Sequence, residues 1–128
     1  MRIGIPVFGD QVAPRFETTQ DVLLVEIDGE VATERHVALY VEAEEKNLPA
    51  ACLSLGVDVL VCCGITPWCE QTLGEKGVRV IAGVMGSSDQ ALERFREGTL
   101  VAGQILAAGA ARRDGNRSGT KRRTVTAE

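Results

Sequence analysis

The chain opens on an alternation. Ile3, Ile5 and Val7 interleave with Arg2, Gly4 and Pro6, the period-two pattern of a half-buried strand. Pro6 has no N–H to give a neighbouring strand. Residues 9–20 mix glycine, proline and polar side chains and predict a loop. Apolar positions return over residues 21–27 (DVLLVEI), a second strand, and Asp28-Gly29 is a hairpin signal leading into a third strand over residues 30–40. Together these three predict an antiparallel meander.

Beyond residue 46 the pattern changes. Asn47 can cap a helix that carries Pro49 in its first turn, continues over residues 50–55 and stops at Gly56. Residues 57–63 (VDVLVCC) are almost continuously apolar, as expected of a central strand covered on both faces, with Asp58 in the turn that leads into it. Thr66-Pro67 starts a helix that stops at Gly77, and residues 78–82 predict a fifth strand. Ser87-Ser88-Asp89-Gln90 has the form of a capping box for a helix running to Glu97 and ending at Gly98. Residues 100–112 predict a last helix, weakened by Gly103 and Gly109. The order is βββ-α-β-α-β-α. Its alternating second half implies parallel strands joined by right-handed crossovers. The expected fold is therefore α/β: a five-stranded mixed sheet with helices on its faces, the ribonuclease H-like layout.

Composition narrows the picture. At 128 residues the chain fits one domain, with no repeat or linker before residue 112. Aromatics make up only 4%, so the core is packed from Val, Leu, Ile and Ala. No stretch approaches the ~20 apolar residues of a membrane span, and the first residues read as a strand rather than as a signal peptide. A cytoplasmic location is expected, and there four cysteines act as thiols, metal ligands or core fillers rather than as a disulfide framework. Charge is divided unevenly. Residues 112–128 hold six basic and two acidic side chains, a local +4, which leaves −8 on the body out of the net −4. The expected division is a domain over residues 1–111 and a basic tail over 112–128. The tail has two readings, a contact for an acidic partner or a solvated terminus. An acidic body argues against nucleic-acid binding, which needs clustered Lys and Arg.

Catalytic signatures are missing. Two-metal phosphoryl chemistry needs convergent carboxylates, whereas the first strand offers Ile3, Gly4 and Ile5 and the central one Val, Leu and Cys. There is no P-loop and no nucleophile elbow. His36, the one histidine, falls in the third strand and reads as an exposed strand residue. No enzyme activity is expected.

The informative segment is Cys62-Cys63-Gly64-Ile65-Thr66-Pro67-Trp68-Cys69, which joins the end of the central strand to a helix. Ligands of open α/β sheets collect beyond the carboxyl ends of strands, and a helix N-terminus favours anions. Cys69 falls in the first helical turn, where a thiol pKa is expected to be lowered. Neighbouring strand residues face opposite sides, so Cys63 and Cys69 form the expected pair of metal-contacting thiols. Cys62 reads either as a further ligand or as core, and Cys52 as core. Both members of the pair also have a plain reading as small packing residues, since two cysteines do not complete a zinc or iron–sulfur site. Trp68 reads either as a lid or as a half-buried anchor.

The segments IGIPVFGDQVAPRF, DVLLVEIDGE, LGVDVLVCCGI, GEKGVRVIAGVMGS and DQALERFREG, in this order and spacing over roughly residues 1–100, resemble the dinitrogenase iron–molybdenum cofactor biosynthesis family of small nitrogenase accessory proteins. The resemblance implies a ribonuclease H-like fold and a carrier, chaperone or storage role for iron–sulfur or molybdenum–iron–sulfur clusters, not catalysis. It also implies metallocofactor assembly proteins or a recipient apo-enzyme as partners. Many members have Pro-His-Phe-Gly in the first loop, with the histidine as cluster ligand; here Pro14-Arg15-Phe16-Glu17 stands there. Arg15 cannot ligate a metal but can hydrogen-bond sulfide or oxo groups; its other reading is a solvated loop charge. Many members have Gly-Gly where this chain has Cys62-Cys63, so the ligand set has either moved to cysteine or been lost in this branch.

The leading expectation is a cluster-binding protein with Cys63 and Cys69 as thiolates, Arg15 as a positive contact, and Gly64, Thr66 and Ser87 as close backbone or hydroxyl contacts. Two other classes stay open: a metal-free interaction or regulatory module of the same fold, and a thiol redox sensor using Cys63 and Cys69.

Overall fold

Gly29 adopts φ 65°, a left-handed conformation that costs glycine nothing, and it turns the chain between two long antiparallel strands. These are β3 (Asp21–Asp28) and β4 (Val31–Ala38), paired from Asp28↔Val31 to Asp21↔Ala38. Strand β1 (Arg2–Phe8) pairs antiparallel with β3 on its other side, completing the expected meander. The computed structural model describes residues 1–38 and 48–106. Asn47, the expected third-strand residues 39–40, and the basic tail lie outside the described residues.

The second half alternates as expected. Helix α1 (Leu48–Ser54), strand β5 (Val59–Val61), helix α2 (Pro67–Glu75), strand β6 (Arg79–Ile81) and helix α3 (Ser88–Glu97) follow in order. Strand β5 runs parallel to β1 and to β6, and the sheet order is β4-β3-β1-β5-β6. Asp58 lies just before β5, where its carboxylate accepts from the Arg2 backbone N–H at 2.8 Å. The sheet divides the core in two. Ile3, Ile5, Val7, Leu23, Val25, Val59 and Val61 pack with Ala91 and Leu92 of α3. Val22, Leu24 and Leu60 pack on the other face with Cys52 of α1 and Cys69 and Leu73 of α2. Period-two alternation in the strands is what sends consecutive residues to opposite cores.

Two expectations change. Among the described residues the sheet has six strands rather than five, because Gln11–Val12 (β2), within the expected loop, pairs back on the end of β1 as Val7↔Val12 and Phe8↔Gln11. A two-residue strand is too short to carry a periodic signal. The second change is at residues 100–106, which form an extended strap in place of the start of a helix. Met85 and Ile105 bridge in parallel, Gly103 donates its N–H to Ala82 O at 2.8 Å and Leu106 to Met85 O at 2.9 Å. Burial of Leu100 and Leu106 and a left-handed Gly103 at φ 80° outweigh whatever helical propensity this segment has.

Candidate functional site

Strands β1, β5 and β6 run the same way, so their carboxyl ends share one edge of the sheet, and the chain's informative loops gather there. Residues 13–19 cross this edge. Ala13 N–H donates to Pro6 O at 2.8 Å, so the residue that cannot donate still anchors through its carbonyl. Gly64 N–H donates to Pro14 O at 2.9 Å, and Phe16 N–H donates to Gly64 O at 2.7 Å. Arg15 thereby forms a parallel bridge with Gly64. Phe16, 0% exposed, plugs the loop into the α1/α2 core. The hydroxyls of Thr18 and Thr19 donate to Arg15 O at 3.3 and 3.1 Å. Gly64 is required by space: a Cβ there would stand 2.8 Å from Pro14 O.

Arg15 therefore sits on a backbone held from both sides while its own side chain is exposed. It forms no ion pair among the described residues. Trp68, in the first turn of α2, is 60% exposed, which fits neither a half-buried anchor nor a closed lid. Phe8, the last residue of β1, and Met85, four residues past β6, are also exposed.

The start of α2 is already supplied with oxygen acceptors. Thr66 is the N-cap and its hydroxyl accepts from Cys69 N–H at 3.4 Å. Glu17 reaches across and accepts the Thr66 N–H on Oε2 at 2.7 Å. Burial pushes the Glu17 carboxyl up, but hydrogen bonds from Thr66, its own backbone and the Cys69 thiol outweigh it, holding the carboxyl below its usual range. The anion that the helix N-terminus favours is the chain's own. Glu17 is the residue that sequence reasoning missed. Its partner is 49 residues away, and no local spacing signals the contact.

Ser87 caps α3, accepting from Gln90 N–H at 3.3 Å, and is itself buried. Gln90 Oε1 is buried without a hydrogen-bond partner, so only the forward half of the expected capping box forms.

The cysteines separate by face. Cys52 and Cys62 are 0% exposed and Cys69 is 5% exposed, and all three belong to the α1/α2 core. Cys63 is half-buried and packs against the α3 core. The expected Cys63–Cys69 pair is thus divided between opposite faces of the sheet, and Cys62, not Cys63, shares a side with Cys69. The expected lowering of the Cys69 pKa is also corrected: burial, joined by the nearby Glu17 carboxylate, raises it despite the Thr66 contact. Burial pushes the Cys52 thiol up to about 11 and the Cys62 thiol up to about 12. Among the described residues no three His, Cys, Asp or Glu side chains converge as a metal site. His36 is exposed on the edge strand β4, and no described helix is long and apolar enough to cross a membrane.

Comparison with known proteins follows the same outline. A family model described as dinitrogenase iron-molybdenum cofactor matches residues 1–98. Among solved structures the chain is similar to PH0822, at 24% identity and a TM-score of 0.72 over 80% of this chain and 94% of that one. It is also similar to the apo form of the orange protein from Desulfovibrio gigas, at 24% identity and a TM-score of 0.63 over 77% of this chain and 88% of that one. A Methanocaldococcus jannaschii protein matches at 19% identity and a TM-score of 0.62, over 78% and 91% of the two chains. At these identities the likenesses establish a shared fold. No curated protein sequence matches the chain.

Proposed function

The chain belongs to the dinitrogenase iron–molybdenum cofactor family, and from that premise we propose that it is a binding protein, not an enzyme, whose cargo is an anionic metal–sulfur cluster. The cluster is an iron–sulfur or molybdenum–iron–sulfur species in transit or storage during cofactor assembly. The observation that carries this reading is Arg15: an exposed guanidinium on an anchored loop at the carboxyl edge of the sheet, with no ion-pair partner among the described residues. A guanidinium offers several N–H donors in a fixed fork and suits sulfide or oxo groups on an anion. Cys63, the thiol outside the buried α1/α2 core, is the proposed direct ligand. Gly64 and Thr66 supply close backbone and hydroxyl surface beside it. We leave Cys62 and Cys69 out of the ligand set because deprotonating a buried thiol is costly. Ser87, buried as a helix cap, acts by shaping the edge. We read the sheet order as the ribonuclease H-like layout, place the protein in the cytoplasm, and take assembly proteins or a recipient apo-enzyme as its partners.

The test is anaerobic incubation of the full chain with tetrathiomolybdate, or with iron and sulfide, followed by absorbance and metal analysis after desalting. Stoichiometric metal in the wild type, and about tenfold weaker retention in Arg15→Ala, is expected for loss of a charge-assisted hydrogen bond. A colourless, metal-free wild type under both conditions defeats the reading. It would favour the second one, a metal-free interaction module using the exposed Phe8, Trp68 and Met85.

A further inference from the structure

The loop carrying Arg15 is fastened to the β5–α2 connection at three points, two through backbone and one through a side chain. We infer that Glu17 is a positioning residue for the Arg15 contact: its carboxylate latches the loop to the N-cap amide of α2, that of Thr66, and fixes where the guanidinium is presented. This rests on the reading of Arg15 as the contact for an anionic cluster.

The backbone fastenings, Gly64 N–H to Pro14 O and Phe16 N–H to Gly64 O, flank Arg15 and tie it to the end of β5. Neither ties it to α2. Glu17 supplies that tie at 2.7 Å. The bond is charge-assisted, a class about twice as strong as neutral pairs. The Thr66 hydroxyl in turn accepts from Cys69 N–H at 3.4 Å, so the residue that Glu17 holds is itself the cap of the first turn of α2. Its neighbour Phe16 is fully buried, which leaves Glu17 little freedom to leave the helix start. An isolated surface carboxylate gains little from a mobile partner; this one has a main-chain donor whose position the fold dictates. The latch has a second consequence. With the Thr66 amide at the mouth of α2 engaged by Glu17, an incoming anion at this edge meets Arg15 as the cationic contact. Presentation of Arg15 then decides affinity, since a group already held in its bound position avoids an ordering cost on binding.

The test is anaerobic titration of the full chain with tetrathiomolybdate, comparing wild type, Arg15→Ala, Glu17→Ala, Glu17→Asp and Glu17→Gln. Amide hydrogen exchange at Thr66 and Phe16 and thermal unfolding are measured on each. Glu17→Ala, and Glu17→Asp with its shorter reach, are expected to bind about three- to tenfold more weakly, with faster exchange at Thr66. Glu17→Gln keeps an oxygen that accepts from Thr66, through a weaker neutral bond, and is expected to bind more tightly than Glu17→Ala, with Thr66 exchange between that of Glu17→Ala and wild type. Wild-type affinity in Glu17→Ala and Glu17→Asp alongside weakened Arg15→Ala overturns the latch. So does a Glu17→Gln variant that falls as far as Glu17→Ala. If Arg15→Ala binds as wild type, the Arg15 reading fails instead. The latch is then judged by exchange alone, and unchanged Thr66 exchange in Glu17→Ala and Glu17→Asp overturns it. Where Glu17→Ala does not fold, the Asp and Gln variants carry the comparison.

Discussion

Cys69 shows how two local rules compete. A thiol in the first turn of a helix is drawn toward ionisation by the helix dipole, an effect of about 0.3–1 kcal/mol. Burial acts the other way, and each pKa unit corresponds to about 1.36 kcal/mol. The fully buried Cys62 is pushed up to about 12, and the Cys69 shift is likewise led by burial. The spacing in the sequence placed Cys69 in the right turn of the right helix, but which way that turn faces is decided by packing against α1 and the sheet. Arg15 and Gly64 were readable as candidates; the bridge between them was not, because it joins segments far apart in the chain. The thiols make a direct check. In the native protein at neutral pH, a maleimide probe is expected to label Cys63 first. Cys52, Cys62 and Cys69 should label only as fast as the protein opens, and all four should react in denaturant. Peptide mapping by mass spectrometry reads the order, and native labelling of Cys69 at the rate of Cys63 would contradict the burial described.

Elements with local punctuation were the readable ones. Thr66 and Ser87 start α2 and α3 as capping residues, and Gly29 closes the β3–β4 hairpin, because each needs only neighbours within a few positions. Strand β2 and the strap over residues 100–106 gave no such signal: their hydrogen bonds go to β1 and to the segment after β6. The packing of the strap makes a prediction for two adjacent residues. Leu106 is buried in the α3 core and Ile105 is exposed. Leu106→Ala is therefore expected to cost about 2–5 kcal/mol, whereas Ile105→Ala should stay within about 0.5 kcal/mol of wild type. Urea unfolding measures both. Equal losses at the two positions would mean that the strap is not the packed segment described.

Considered entire, the molecule places on an acidic body an arginine with no ion-pair partner among the described residues, and the two act over different distances. The almost continuously apolar run over residues 57–63 announced a sheet covered on both faces, and the parallel second half announced which edge would gather the loops; the charge balance announced neither a site nor a ligand. Yet charge bears on how an anionic cargo arrives. Residues 1–111 carry −8 and residues 112–128 carry +4, so a dianion approaching the body alone meets repulsion before it reaches Arg15. Repulsion of this kind extends over a Debye length of about 30 Å at 0.01 M salt but only about 8 Å at 0.15 M. The tail halves the net charge, wherever it lies, and should ease the approach without touching the site. A chain ending at residue 111 is expected to associate with tetrathiomolybdate more slowly than the full chain at about 0.01 M salt, with the difference closing by about 0.15 M. Dissociation rates should be the same for both, because the contacts that hold the anion belong to the edge of the sheet. Stopped-flow absorbance under anaerobic conditions separates the two rates. Equal association rates at low salt would remove the tail from cargo capture, and a faster dissociation from the shortened chain would mean that the tail touches the bound cluster itself.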